Sequence, residues 1–212
     1  MSTLCVRQTK KFKFIKMRPA LFAMLFIVST ACKPKTVQQQ PVTITSEKIE
    51  EVTMVQKDLQ NYETAYFASG CFWCVEAIFE SVKGVEEVYS GYSGGFEKDP
   101  TYEEVAYGRT HHAEAVEVYY DPKVISFTEL VQVFFGSHDP TSLNRQGPDR
   151  GAQYRSIAFY KDKEQKNIIR KYIETLEASG VYGRPIVTQV VKFNTFYKAE
   201  DYHQDYEKKN PN

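Results

Sequence analysis

Beyond residue 60 the apolar positions switch repeatedly between a strand period and a helix period, and the switches mark out the elements. Thr64-Ala65-Tyr66-Phe67-Ala68 reads as a strand rich in aromatic and small residues. It feeds into Gly70-Cys71-Phe72-Trp73-Cys74, after which Val75, Ile78, Phe79 and Val82 recur on one helical face. Lys83-Gly84 ends that helix, and residues 85–92 read as a second strand. Gly91-Tyr92-Ser93-Gly94-Gly95 then turns the chain into a long loop, and residues 112–120 form a third strand stopped by Asp121-Pro122. Ser126-Phe127-Thr128-Glu129 has the pattern of a capping box, with Leu130, Val131, Phe134 and Phe135 as the apolar face of the helix it opens. A polar loop over 137–153 leads to a strand at 154–160. The helix at 163–179 carries Ile168, Ile169, Tyr172, Ile173 and Leu176 on one side and stops at Gly180. Residues 187–193 are the last strand, before a tail rich in tyrosine and charge. The order β-α-β-β-α-β-α-β predicts an α+β fold, a two-layer ferredoxin-like sandwich with helices packed on a mixed sheet.

The first 60 residues read differently. Arg7, Lys10, Lys11, Lys13, Lys16 and Arg18 precede the apolar run 20–28 and then Ser29-Thr30-Ala31-Cys32. A basic start, a short apolar core and small residues describe an export signal over 1–31, too short for a spanning helix. Met17 offers a second start within it. Cys32 after Ala31 resembles the lipobox cysteine of bacterial lipoproteins, although Ser29 replaces the usual aliphatic residue; ordinary secretory cleavage nearby is the alternative. Residues 32–61 are polar and aperiodic, a tether that would hold a domain, 62–212, away from a membrane surface. The expected location is therefore exported and lipid-anchored, facing the periplasm or the cell exterior.

Charge adds an exclusion. The 27 basic and 27 acidic residues balance, but all acids lie beyond residue 31, which leaves 21 basic against 27 acidic in the remainder. A mildly acidic body is a poor partner for nucleic acid.

Of the four cysteines, Cys5 lies in the leader and Cys32 would carry lipid, which leaves Cys71 and Cys74. Two thiols cannot staple a scaffold, but at i and i+3 on a first helical turn they can act as a redox pair. Cys71 sits where a helix begins, a place expected to favour the thiolate. The competing reading is a pair of small buried hydrophobes. No second cysteine pair or His-x₃₋₅-His completes a zinc site. On strand 112–120, Glu114 shares a face with Val116, Val118 and Tyr120, opposite Glu117. Burial there would raise its pKa and make a proton donor, whereas a half-exposed face would leave it paired with a lysine. Tyr92, Tyr102, Tyr107 and Tyr154 mark glycine-containing loops and suit either pocket lining or packing. His111 and His112 point apart on a strand and read as structural; Asp139 and Asp149 read as turn acids.

Several motifs in order are similar to those of one family. Gly70-Cys71-Phe72-Trp73, Gly91-Tyr92-Ser93-Gly94-Gly95, Pro100-Thr101-Tyr102-Glu103-Glu104-Val105 and His112-Ala113-Glu114-Ala115-Val116 resemble the A-type peptide methionine sulfoxide reductases. So do Tyr120-Asp121-Pro122, His138-Asp139-Pro140-Thr141, Gln153-Tyr154-Arg155-Ser156 and the late Tyr197-Lys198-Ala199-Glu200-Asp201-Tyr202-His203-Gln204. The resemblance spans about residues 62–211 and implies reduction of methionine-(S)-sulfoxide, free or in oxidised proteins, to methionine. It implies Cys71 as nucleophile, Phe72 and Trp73 around the S-methyl group, Glu114, Tyr102 and Tyr154 on the sulfoxide oxygen, and Asp149 assisting binding and recycling. No metal or organic cofactor is implied, because thiols carry the electrons and a thioredoxin-like dithiol restores them. Ala106 stands where some members have a recycling cysteine, and none follows Cys74 before Asn212. The family's Gly-Cys-Phe-Trp-Cys subgroup therefore implies a Cys71–Cys74 disulfide. His111 replaces a common glycine. Two rival readings remain: a general thiol–disulfide oxidoreductase, which would not need Glu114 or the tyrosines, and a lipoprotein that binds oxidised partners without turnover.

Overall fold

A computed structural model describes residues 58–211. The leader, most of the tether and Cys32 lie outside the described residues. The order of elements begins β1 (Glu63–Ser69), α1 (Phe72–Glu80), β2 (Val85–Ser93), α2 (Tyr102–Ala106), β3 (Ala113–Tyr120) and α3 (Phe127–Gly136). It continues with β4 (Arg145–Gln146), β5 (Asp149–Arg150), β6 (Ser156–Tyr160), α4 (Lys163–Ser179), β7 (Gln189–Lys192), β8 (Phe196–Lys198) and α5 (Tyr206–Lys209). Short 3₁₀ turns cover Ala152–Tyr154 and Asp201–His203.

Six strands form one sheet in the order β7-β6-β1-β3-β2-β8. Its centre, β6-β1-β3-β2, has the ferredoxin-like arrangement: β1 and β2 run parallel with antiparallel β3 between them. Only β6 and β7 are parallel neighbours, so the sheet is mixed as expected. The start of α3 and the end of α4 lie where the cap signals in the sequence place them. Ser126 and Glu129 form a reciprocal capping box, and Gly180 ends α4 in the left-handed conformation with φ +68°.

One sheet face packs on the helices. Phe67 of β1 stacks on Phe79 of α1 at 5.2 Å and on Phe127 and Phe134 of α3 at 6.2 and 5.0 Å. Val116, Val118 and Tyr120 of β3 belong to the same cluster, as does Ile169 of α4. The opposite face is built from small side chains, Ala68, Ala113 and Ala115, with Tyr66, Ile157 and Phe159. Tyr66 stacks on Phe193 at 3.6 Å, and its hydroxyl donates to Glu117 at 2.7 Å.

The polar stretch 137–153 differs from a plain loop. It holds the β4–β5 hairpin, paired Arg145 to Arg150 and Gln146 to Asp149. These strands are two residues long, too short to show alternation. The same reason hides β8 and α2. Replacing the buried Phe67 by Ala should cost about 3–5 kcal/mol of unfolding free energy, read from denaturant melts, because it empties a site shared by β1, α1 and α3.

Candidate active site

The site lies at one end of the central strands, where β1 and β2 end and β3 begins. Gly70 turns the chain out of β1 with φ +102°, a conformation that suits glycine. A Cβ there would come within 2.7 Å of Gln146, so the β4–β5 hairpin, with Asp149 on it, is seated over the start of α1. Cys71 is the N-cap residue of α1 and makes no side-chain cap bond. Phe72 N–H, the first in the helix, instead donates to Glu114 Oε2 at 3.0 Å. The acid on β3 thus stands in for a local cap.

Glu114 is 2 % exposed. Burial raises its pKa to about 7, further supported by the charges of Asp149 and Cys74, while the Phe72 N–H pulls it back. A substantial share of the carboxyl is therefore protonated near neutrality, and among the described residues no lysine forms an ion pair with it. Tyr102 opens α2 behind a Thr101–Glu104 capping box, whose Thr-x-x-Glu signature is the signal in the sequence for this short helix. Its N–H donates to Glu200 at 3.1 Å. Gln153 ties the far end of α2 to the 3₁₀ turn carrying Tyr154, donating to the Ala106 carbonyl at 2.9 Å. Burial first, and then the charge of Glu114, raise the pKa values of both tyrosines, which keeps them as O–H donors. Burial likewise raises Asp149.

Cys71 and Cys74 are both half-buried, reduced thiols, hydrogen-bonded to each other. That bond, then burial, then the charge of Glu114 push the Cys71 thiol up, against the pull of the Trp73 N–H. The helix start does not yield a resting thiolate. The hydrogen bond to Cys74 and the low dielectric of burial outweigh the dipole, whose effect is confined to the first turn.

Phe72 and Trp73 differ in access. Phe72 is 1 % exposed, enclosed by Tyr92, Tyr102 and His203, whereas Trp73 is half-buried. Trp73 stacks flat on Tyr206 at 3.7 Å and donates its indole N–H to His203 Nδ1 at 3.1 Å. Tyr92 is buried and donates to Glu200 at 2.9 Å; Tyr107 is 72 % exposed and takes no part. His111 and His112 both engage Glu97, and Asp139 makes a turn with Thr141 and Ser142. Among the described residues no group of three or more His, Cys, Asp or Glu side chains is placed to hold a metal ion.

The family model for peptide methionine sulfoxide reductase matches residues 63–212. This chain belongs to the peptide methionine sulfoxide reductase family. It is 55 % identical over 148 residues to the peptide methionine sulfoxide reductase MsrA of Natronomonas pharaonis, covering 70 % of this chain and 83 % of that one. The MsrA of Deinococcus radiodurans is 54 % identical over 149 residues, covering 70 % and 72 %. Among solved structures, the reductase A of Corynebacterium diphtheriae superposes with a TM-score of 0.65 at 39 % identity, over 71 % of this chain and 76 % of that one. Reduced Mxr1 from Saccharomyces cerevisiae gives 0.67 at 36 %, over 75 % and 91 %.

The reductase therefore acts on methionine sulfoxide, and the buried acid beside its thiol pair dictates a pH dependence. The acid form of Glu114 predominates below about 7 and is lost as pH rises through it. The sulfoxide-reducing step should fall on the alkaline side of neutrality. Glu114→Gln should slow it by about 10²–10⁴-fold and remove that limb, while both thiols still react with a small disulfide reagent. Single-turnover rates on both sides of neutrality check this. The same shift makes Glu114 a stabilising group at low pH whose contribution is lost as pH rises through about 7.

Proposed function

We propose that this reductase reduces the S epimer of methionine sulfoxide, free or in oxidised proteins, through a Cys71 sulfenic acid and a Cys71–Cys74 disulfide. The observation that carries the reading is the thiol pair hydrogen-bonded at the start of α1, beside the buried carboxyl of Glu114, whose pKa burial pushes up to about 7. The sulfoxide oxygen would take hydrogen bonds from Glu114, Tyr102 and Tyr154, with Trp73 and the edge of Phe72 against the methyl group. Glu114 protonates the oxygen as the Cys71 sulfur attacks the sulfoxide sulfur. The thiol proton of Cys71 passes back to Glu114, so the acid is regenerated. The hydroxyl then passes from the methionine sulfur to the Cys71 sulfur as the S–O and sulfur–sulfur bonds to methionine break, so that methionine leaves and Cys71 carries S–OH.

Cys74 displaces that hydroxyl as water and forms the disulfide. A reduced dithiol of thioredoxin type returns both thiols and leaves oxidised. Asp149, placed by its hairpin over the start of α1, raises the Glu114 pKa and so favours the loaded acid. The leader pattern and Cys32 support export and anchoring by lipid on a polar tether, where the reductant would be an extracytoplasmic thioredoxin-like domain. Cys32→Ala should then release the protein from the membrane fraction.

The decisive measurement is reductant consumption with separated S and R sulfoxides: turnover is expected with S alone, and equal turnover of R would overturn the reading. Cys74→Ser should release about one methionine per enzyme without forming a disulfide and then stall with a thioredoxin-like dithiol. Full-rate cycling of that variant would reject Cys74 as the resolving thiol.

A further inference from the structure

The segment after β8 folds back over the site and, past the Ala199 N–H that donates to the Ser90 carbonyl at 2.9 Å, is held on the sheet and on α1 by side chains. Gln204 mimics a strand: its Oε1 accepts from the Ser90 N–H at 3.0 Å and its Nε2 donates to the Ser90 carbonyl at 3.0 Å. Buried Glu76 of α1 accepts from the Asp205 N–H at 3.2 Å. Glu200 accepts from the Tyr92 hydroxyl and the Tyr102 N–H. His203 is held among these anchors, 1 % exposed.

Its Nδ1 accepts the Trp73 indole N–H, so the ring is neutral with its proton on Nε2. That Nε2 is buried without a hydrogen-bond partner; Glu200 Oε2 stands 3.9 Å away. Burying an unpaired N–H is unfavourable, and an apolar ring would fill the same space without that cost. Packing alone therefore does not account for a histidine here. The ring also lies 4.3 Å from Tyr102 and 5.1 Å from Phe72, centroid to centroid.

We infer that His203 is a positioning residue for the sulfoxide: one imidazole hydrogen-bonds Trp73 on the methyl side and packs against Tyr102 on the oxygen side, and so sets the width of the slot. This rests on the substrate placement proposed above. Tyr206, stacked on the other side of the joint, holds the indole plane, and the hydrogen bond removes the remaining freedom of rotation.

Trp73 is the only tryptophan in the chain, so ¹⁵N-labelled protein yields one indole N–H resonance. In full-length Cys71→Ser protein, which cannot turn over, saturation with methionine-(S)-sulfoxide should shift it. An unmoved resonance would overturn the substrate placement and this inference with it. His203→Phe should move the resonance upfield in the free protein and raise KM about tenfold, with the saturated single-turnover rate held within about threefold. His203→Asn, which keeps an acceptor near the Nδ1 position, should hold KM within about threefold of the native value. If the substrate shifts the indole but His203→Phe leaves KM unchanged, or His203→Asn is as impaired as His203→Phe, the inference alone fails. Should His203→Phe not fold, Tyr206→Leu replaces it: KM several-fold higher than in His203→Asn supports the joint, and equality rejects it.

Discussion

The hydrogen bond from the Phe72 N–H to the buried carboxyl of Glu114 is the constraint on which the rest of the site depends. It joins residues 42 positions apart and does two things at once. It satisfies an N–H that the cap residue Cys71 leaves open, and so fixes where α1 begins against the sheet. It also lowers the cost of burying an acid, which would otherwise be pushed still further from ionisation. The thiol of Cys71 and the buried carboxyl of Glu114 are thereby set relative to each other by backbone geometry. Loop conformation has little part in it.

Around that bond the structure is assembled from anchors of long sequence separation. Glu200 holds Tyr92 and the first turn of α2, and Gln153 holds the last turn of α2 to the turn that carries Tyr154. Each is a polar side chain bridging elements that share no continuous hydrophobic pattern. The helix face of the sheet is different. Phe67 and its stacked partners make an apolar core whose positions recur at regular spacing. The scaffold is thus held by burial and the site by directed hydrogen bonds.

The same division explains what was legible. The spacing of Leu130, Val131, Phe134 and Phe135, the Ser126 box and the Gly180 stop located α3 and the end of α4, because local preference and tertiary burial agree there. Alternation on β3 placed Glu114 on the buried face, and burial then raised its pKa. The protonation state of Cys71 was not legible. Position at a helix start points to a thiolate, but the hydrogen bond to Cys74, burial and the charge of Glu114 together override a dipole of short reach. Nor was His203 legible as a partner of Trp73, since 130 residues separate them.

The opening motif shows the boundary between the two sources. By itself the amino-acid sequence determined that a strand runs into a helix at Gly70-Cys71-Phe72-Trp73-Cys74, that the two thiols lie one turn apart, and which residues carry the family's motifs. The first two are consequences of period, turn chemistry and spacing and the third of a resemblance between motifs, all of them local. Only the tertiary structure decided that Phe72 is enclosed while Trp73 stays accessible, that Glu114 caps α1, and that Cys71 rests as a thiol. Burial and electrostatic environment come from segments far apart in the chain, and no local pattern encodes their sum.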